Sequence, residues 1–159
     1  MSMKLIENTG YKCDPVYRFC GWEHADDIRP VKACGAETIG RFYLACLEAW
    51  NTATCSERFR PEWSAANPSI GQCTITAALV HEFFGGGVYS VPLDGGGRHS
   101  FNYINGVFVD LASEQFGRNA LPDFSLAEPA DPASLLASGD KAERCALLRE
   151  RLLTVLAKH

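Results

Sequence analysis

Residues 68–116 read PSIGQCTITAALVHEFFGGGVYSVPLDGGGRHSFNYINGVFVDLASEQF, and this stretch decides the fold. From Cys73 to Phe84 the chain is apolar on nearly every side, and three glycines follow at once. Such a run predicts a helix that is buried at the centre of the fold and is stopped by glycine. Three short segments with strand character come next, at 88–93, 99–104 and 107–112. We therefore predict an α+β fold in which a central helix packs on an antiparallel β-meander.

The dipeptide Asn105-Gly106 between the second and third predicted strands fixes how they pair. Asn-Gly favours a two-residue type I′ turn, which places residue 104 opposite 107 and residue 103 opposite 108. In that register His99 and Asp110 are diagonal neighbours on one face of the hairpin, with Cα atoms roughly 7–8 Å apart. Their side chains can form a hydrogen bond over that separation. The residues predicted to share this face are His99, Phe101, Tyr103, Phe108, Asp110 and Ala112.

Cys73 occupies the first turn of the predicted central helix. The unpaired N–H groups and the positive dipole end of a helix N-terminus favour the thiolate, which is the nucleophilic form of cysteine. We interpret Cys73 as a nucleophile, His99 as its general base and acid, and Asp110 as the group that orients the imidazole. Gly71 allows a substrate to approach the backbone closely. The N–H of Cys73, together with the side chain of Gln72, is the predicted oxyanion site.

Each of the three residues also has a purely structural interpretation. A cysteine in an apolar helix is usually a packing residue. A histidine at a strand end is commonly a satisfied edge residue, and Asp110 suits a cap for the turn at 112–114. The order of a cysteine at a helix start, a histidine on a strand and an aspartate on the next strand is less often accidental, so the sequence favours the catalytic interpretation.

The rest of the chain is predicted to surround this unit in a single domain that spans residues 1–159. Residues 1–35 show no clear period, whereas the apolar residues of 37–51 recur at helical spacing and predict a packed helix. A connector covers 52–70, with one helical turn at 56–60. After Phe116 we predict a proline-containing loop, then a short helix at 131–137, then a final helix in which Asp140 and Glu143 form a capping box.

Composition and charge argue against several classes of partner. The formal net charge is −4, and the lysines and arginines are scattered, so the sequence does not favour nucleic-acid binding. No apolar run is long enough for a membrane span, and the first residues lack the apolar core of a signal peptide. There are seven cysteines, an odd number, which without a secretory signal indicates free thiols and a cytoplasmic protein.

Four residues near the N-terminus suggest a zinc site: Cys13, Cys20, His24 and Cys34. Their spacing lacks the C-x₂-C pair of common structural zinc sites. We therefore predict no metal and no cofactor, and a structural metal protein built on these residues stays as an alternative. The sequence leaves the oligomeric state open.

Between residues 60 and 118 a set of motifs stands out: Trp63, Pro68, Gly71-Gln72-Cys73, Phe84-Gly85-Gly86, His99, Asn102, Asp110-Leu111 and Gln115-Phe116. In these motifs the stretch resembles the YunG-type family of small bacterial proteins. The same stretch is similar to the papain-like superfamily in its transglutaminase-like arrangement, where Cys, His and Asp occur in that order on a helix and two adjacent strands. This similarity implies a papain-like/transglutaminase-like core with flanking helices, and an enzyme that forms a thioester, such as a peptidase, a deamidase or an acyltransferase.

The resemblance implies no particular substrate, so we expect a small molecule or a peptide. Four residues are expected near the oxyanion or the substrate: Gln72, Gly71, Asn102 and Trp63. Asn102 points away from the His99 face in the predicted register. The chain departs from secreted cell-wall peptidases of similar fold by its lack of an export signal, which argues against peptidoglycan. It also has Ser100 directly after the histidine, where many relatives carry an aromatic residue.

The expected function is that of a cysteine-nucleophile hydrolase or acyltransferase that acts on an amide or ester bond. The alternative is a catalytically inactive binding module that keeps the papain-like fold. The two differ in whether the sulfur of Cys73 is activated and accessible.

Overall fold

A computed structural model of the chain describes residues 7–8, 10–11, 18–93 and 96–158, and it has an α+β fold. The α-helices are α1 (Ile39–Ala49), α2 (Cys73–Phe84), α3 (Pro132–Leu136) and α4 (Lys141–Ala157). The strands are β1 (Gly87–Pro92), β2 (Arg98–Ile104), β3 (Val107–Val109) and β4 (Glu128–Ala130). They form one antiparallel sheet in the order β3-β2-β1-β4. Short 3₁₀ helices cover Trp22–His24, Glu57–Glu62, Ser113–Phe116 and Phe124–Leu126.

Helix α2 has the bounds predicted from the sequence, and most of its side chains are buried. Gly85 ends it with a φ of 75°, a conformation that glycine adopts without strain. The ring of His81 donates from Nδ1 to the carbonyl of Gly86 at 3.0 Å, so this histidine stabilises the helix end. On the sheet side, Asn102 of β2 donates to the carbonyl of Ala77 at 2.9 Å. This bond holds the helix against the sheet.

The hairpin of β2 and β3 has the predicted register, with residue 104 opposite 107 and residue 103 opposite 108. Asn105 and Gly106 have φ values of 53° and 82°, as a type I′ turn requires. The predicted third strand, however, was too long, because β3 ends at Val109 rather than at residue 112. The reason is that Asp110 leaves the hairpin, and its N–H donates to the carbonyl of Cys20 at 2.9 Å.

The fourth strand, β4, corrects the prediction of a loop between Phe116 and the helix at 131–137. Its residues pair with β1, and Val88 lies opposite Ala130. Pro129 lies within this strand, which is compatible with its position at the edge of the sheet. The local sequence of three residues is too short to predict a strand, since only the edge of β1 makes it one.

The flanking helices were predicted, but the capping box of α4 was not correct. The side chain of Asp140 makes no cap hydrogen bond and instead accepts from Nε of Arg144 at 2.9 Å. Helix α1 is capped by Thr38, which accepts from the N–H of Arg41 at 3.3 Å. Both helices pack together, and α4 also packs on α2. The core between them is apolar and includes Phe42, Phe83, Leu79, Leu148 and Leu152.

In the part of the chain that the structure describes, we find no helix that combines the length and the apolarity needed to cross a bilayer.

Candidate functional site

His99 and Asp110 form a buried hydrogen-bonded pair. Nε2 of His99 donates to Oδ2 of Asp110 at 2.6 Å, and both side chains are 1% exposed. The other carboxylate oxygen, Oδ1, accepts from the N–H of Ala112 at 3.1 Å. The carboxylate is therefore fixed at both oxygens, and it in turn fixes the plane of the imidazole. The second ring nitrogen, Nδ1, is buried and makes no hydrogen bond of acceptable geometry with the described residues.

Cys73 is the first residue of α2, where the helix dipole favours an anion. It is half-buried, in contrast to the fully buried His99. Its sulfur lies 3.8 Å from Oγ1 of Thr74. The charges of the thiol and the imidazole shift each other's ionisation, so the two groups are electrostatic neighbours.

The ionisation of this cluster is shifted toward a thiolate and an imidazolium. Burial raises the pKa of the Cys73 thiol, but the neighbouring His99 and hydrogen bonds from the Ser100 backbone and from Thr74 outweigh burial and hold that pKa below its usual value. For His99, burial lowers the pKa, while the carboxylate of Asp110 and the sulfur of Cys73 raise it to about 10. Both shifts favour the charged pair over the neutral one.

Aromatic rings enclose the imidazole. Phe101 stacks on His99 with ring centroids 5.9 Å apart, and Phe116 meets it edge-on at 4.6 Å. Phe101 continues into a cluster with Phe108 and Phe124 at 5.4 and 4.5 Å. These rings exclude water from the His99 side chain, which strengthens its interaction with the carboxylate. The hairpin face predicted from the register to be apolar is the face that carries these contacts.

Two of the four predicted substrate or oxyanion residues, Gln72 and Gly71, directly precede Cys73 in the chain, and both have structural roles of their own. Gln72 is fully buried, and its Nε2 donates to the carbonyl of Asn51 at 3.1 Å. Gly71 has a φ of 70°, and a Cβ at this position would lie 2.5 Å from Sγ of Cys55. Glycine is therefore required here by packing as well as by backbone conformation.

The other two residues in that set lie further from the cluster. Asn102 is on the α2 side of β2, opposite to His99, as the register predicts, and it bonds to the helix. Trp63 is half-buried, and its Nε1 donates to the carbonyl of Pro68 at 3.0 Å. Trp63 thus supports the segment that leads into α2.

Three residues near the cluster were not assigned a role from the sequence. Thr74 and Ser100 follow Cys73 and His99 directly, and their hydroxyl oxygens lie 3.4 Å apart, which joins α2 to β2 beside the sulfur. Strand alternation already places Ser100 on the helix side, so this contact had a sequence signal. Phe116 belongs to the Gln115-Phe116 element of the family resemblance, but nothing in the sequence indicates its contact with the imidazole.

No group of three or more potential metal ligands occurs among residues 7–8, 10–11, 18–93 and 96–158. Of the four residues considered for zinc, Cys13 lies outside the described residues. Cys20 is half-buried, and burial together with the carboxylates of Asp110 and Glu23 raises its pKa to about 12. Such a thiol stays protonated near neutral pH and is a poor metal ligand in that state.

Fold and site together define an α+β protein in which a cysteine at a helix start lies beside a buried histidine–aspartate pair. The chain belongs to the YunG family, whose model, described as "YunG protein", matches residues 38–157. It is 36% identical over 69 residues to the uncharacterized protein YunG of Bacillus subtilis (strain 168). That match covers 43% of this chain and 55% of the Bacillus protein, so the chain spans about half the length of this relative. No solved structure matches the chain.

Proposed function

We propose that the protein is a cysteine-nucleophile hydrolase or acyltransferase with a papain-like, transglutaminase-like core. The observation that carries this proposal is the position of His99, which is hydrogen-bonded to Asp110 at 2.6 Å and electrostatically coupled to Cys73. A thiolate paired with an imidazolium is ready to attack a carbonyl carbon without a prior proton transfer.

The reaction proceeds in two halves. In the first, the thiolate of Cys73 attacks the carbonyl carbon of an amide or ester, and a C–S bond forms. The imidazolium of His99 gives its proton to the leaving nitrogen or oxygen, the C–N or C–O bond breaks, and a thioester remains. In the second, His99 takes a proton from water or from an amine as that nucleophile attacks the thioester. The C–S bond then breaks, and the thiolate is restored beside the imidazolium.

The negative oxygen of each tetrahedral intermediate needs donors. The N–H of Cys73 is at the first turn of α2, where it has no partner within the helix. Gln72 already donates through Nε2 to Asn51, so its second amide hydrogen is the one that remains for this role. The substrate in this proposal is a peptide or a small molecule with an amide or ester bond. The nucleophile needs a reduced thiol, so the proposal includes a cytoplasmic location.

The test is the rate at which iodoacetamide alkylates Cys73, measured by peptide mass spectrometry at pH 6 with N-acetylcysteine as the reference thiol. We expect Cys73 to react faster than the reference, because each unit by which the pKa is lowered raises the thiolate fraction about tenfold and lowers the intrinsic nucleophilicity of the thiolate by less than that. His99→Gln should remove this advantage. Cys20, with its raised pKa, is an internal control that should stay unlabelled. A Cys73 rate equal to that of N-acetylcysteine would exclude an activated nucleophile.

A binding module that keeps the same fold is the second candidate, and the burial of the pair favours it. His99 and Asp110 are almost fully buried, so a ligand can reach only the Cys73 side of the cluster. The two candidates are separated with p-nitrophenyl acetate. An enzyme releases many equivalents of p-nitrophenol through an acetyl-Cys73 intermediate, whereas a binding module releases at most the one equivalent that direct acylation of a thiol gives.

A further inference from the structure

The 3₁₀ helix Glu57–Glu62 lies beside the segment that leads to Cys73. The N–H of Ser56 donates to the carbonyl of Gly71 at 3.0 Å, two residues before Cys73. Arg58, two residues after Ser56, is exposed. The start of this 3₁₀ helix is therefore fixed to the backbone on the nucleophile side of the candidate site.

Arg58 also reaches the backbone on the histidine side of the site. Its Nη1 atom lies 3.7 Å from the position that a Cβ would occupy on Gly97. Gly97 is two residues before His99 and has no side chain to displace the guanidinium. The guanidinium therefore lies beside the backbone that leads into His99, and the 3₁₀ helix that carries it is fixed at its start to the backbone that leads into Cys73.

The charge of Arg58 is not neutralised by a carboxylate within ion-pair distance in the described ranges 18–93 and 96–158. Two other arginines in these segments do have such partners: Arg60 lies 3.8 Å from Asp140, and Arg98 lies 3.6 Å from Glu128. The guanidinium of Arg58 lies 5.2 Å from the ring centroid of Phe59, a cation–π contact that supports it from one side.

We propose that Arg58 binds a carboxylate of the substrate, and that the substrate of Cys73 is an amide or ester with an anionic group close to the scissile bond. A short peptide with a free carboxylate near that bond has this chemistry. The planar guanidinium matches a carboxylate with two parallel hydrogen bonds, which orients the acyl group toward the sulfur. This inference rests on the proposed function, because it assumes that Cys73 is the reacting atom. A local cation is needed, since the chain has a formal net charge of −4 and repels anions at long range.

The experiment compares two maleimides that differ by one carboxylate, N-ethylmaleimide and 3-maleimidopropionate. Rate constants for alkylation of Cys73 are measured for both probes at low and high salt. In Arg58→Gln, we expect the ratio of the anionic to the neutral rate to fall about two- to fivefold, as for an exposed ion pair. In Arg58→Lys the ratio should be partly kept. Arg41→Gln is the matched control, because it removes one charge from an exposed arginine of α1.

The ratio separates this inference from the proposed function. Both probes react with the same sulfur, so a change in thiolate reactivity cancels in the ratio and appears only in the absolute rate with N-ethylmaleimide. Slow absolute rates with a ratio that depends on Arg58 would support the anion site and contradict the activated nucleophile. An equal ratio in the wild type and in Arg58→Gln, at low salt where charge effects are strongest, would overturn the role of Arg58.

Discussion

Replacement of Asp110 by asparagine tests the electrostatic basis of the site with almost no change in shape. The carboxylate of Asp110 lies 2.6 Å from His99 Nε2, and it is the larger of the two favourable influences that raise the pKa of that imidazole to about 10. A hydrogen bond between charged groups contributes about 1.5–3 kcal/mol, which corresponds to about one to two pKa units. We therefore expect the His99 pKa to fall by at least about one unit in Asp110→Asn.

The effect reaches Cys73 because the two ionisations are coupled. Once His99 is less readily protonated, the thiolate loses its cationic neighbour, and the pKa of Cys73 should rise by about one unit or more. The assay is the rate of iodoacetamide alkylation at Cys73 between pH 4.5 and 10, with the midpoint fitted rather than a single rate. A midpoint is needed because a more basic thiolate is also a better nucleophile, which partly masks the loss of thiolate at any one pH.

The control is Asp131→Asn, which removes one negative charge from an exposed aspartate that accepts a hydrogen bond from Ser134. It should leave the midpoint of Cys73 unchanged. Urea unfolding of both variants checks that the fold is kept. If Asp110→Asn is folded and the midpoint does not move, the carboxylate does not govern the thiolate. The electrostatic account of the site would then be wrong.

Three further predictions concern stability, each measured by urea unfolding. The lowered pKa of Cys73 and the raised pKa of His99 have opposite effects on how stability depends on pH, so Cys73→Ser isolates the effect of His99. In this variant the free energy of unfolding should fall as pH rises above about 6.5, because His99 is protonated more readily in the folded state than in the unfolded state. The double variant Cys73→Ser/His99→Gln should lack this fall. If stability falls with pH equally in the single and the double variant, His99 is not the cause. Asn102→Ala should lose about 1–3 kcal/mol through its buried hydrogen bond to α2, and a smaller loss would contradict that role. Gly71→Ala should lower the free energy of unfolding by at least about 1 kcal/mol, because of the positive φ at this position and the close contact of a Cβ with Cys55. Cys55→Ala in the same chain should relieve part of that loss. If the effects of the two substitutions are strictly additive, the contact does not contribute.

The elements that were predicted from the sequence are those for which local chemistry suffices. Helix α2 is apolar on nearly every side and is followed by glycine, so both of its ends follow from residues within or next to it. The register of β2 and β3 follows from the Asn105-Gly106 turn alone, because a two-residue loop allows one pairing. In both cases the rule involves only neighbouring residues, and contacts from elsewhere in the fold did not change the predicted structure.

The errors lie where a distant part of the chain decides. Strand β3 ends early because the N–H of Asp110 bonds to Cys20, which is 90 positions away and follows a segment with no period. Residues 128–130 become a strand only because β1 offers a free edge. Both outcomes depend on a partner that the local pattern does not contain. The capping box is the exception, because Arg144, only four residues after Asp140, binds the carboxylate that was expected to cap the helix.

The candidate site divides in the same way. The pairing of His99 with Asp110 follows from the register and the period of two, so it was available from the sequence. The electrostatic coupling of the imidazole to Cys73 was not available from the sequence, because it depends on how α2 lies across the sheet. That placement is set by the Asn102 bond to the helix and by the contact of Thr74 with the second strand. Neither contact can be predicted from the spacing of residues in the sequence.

The two interpretations of Asp110, as a turn cap and as the partner of the histidine, are not alternatives. One carboxylate oxygen accepts from Ala112 and the other accepts from His99, so the turn holds the carboxylate in the plane that the imidazole needs. An asparagine has one acceptor oxygen, and the N–H of Ala112 is a donor that must keep it. The amide NH₂ then faces Nε2, which has to become an acceptor, and the remaining ring proton moves to Nδ1. That tautomer cannot take a proton from Cys73. Asp110→Asn should therefore raise the thiol pKa and also remove the general base, so its loss of acyl transfer should exceed the loss explained by the thiolate fraction alone.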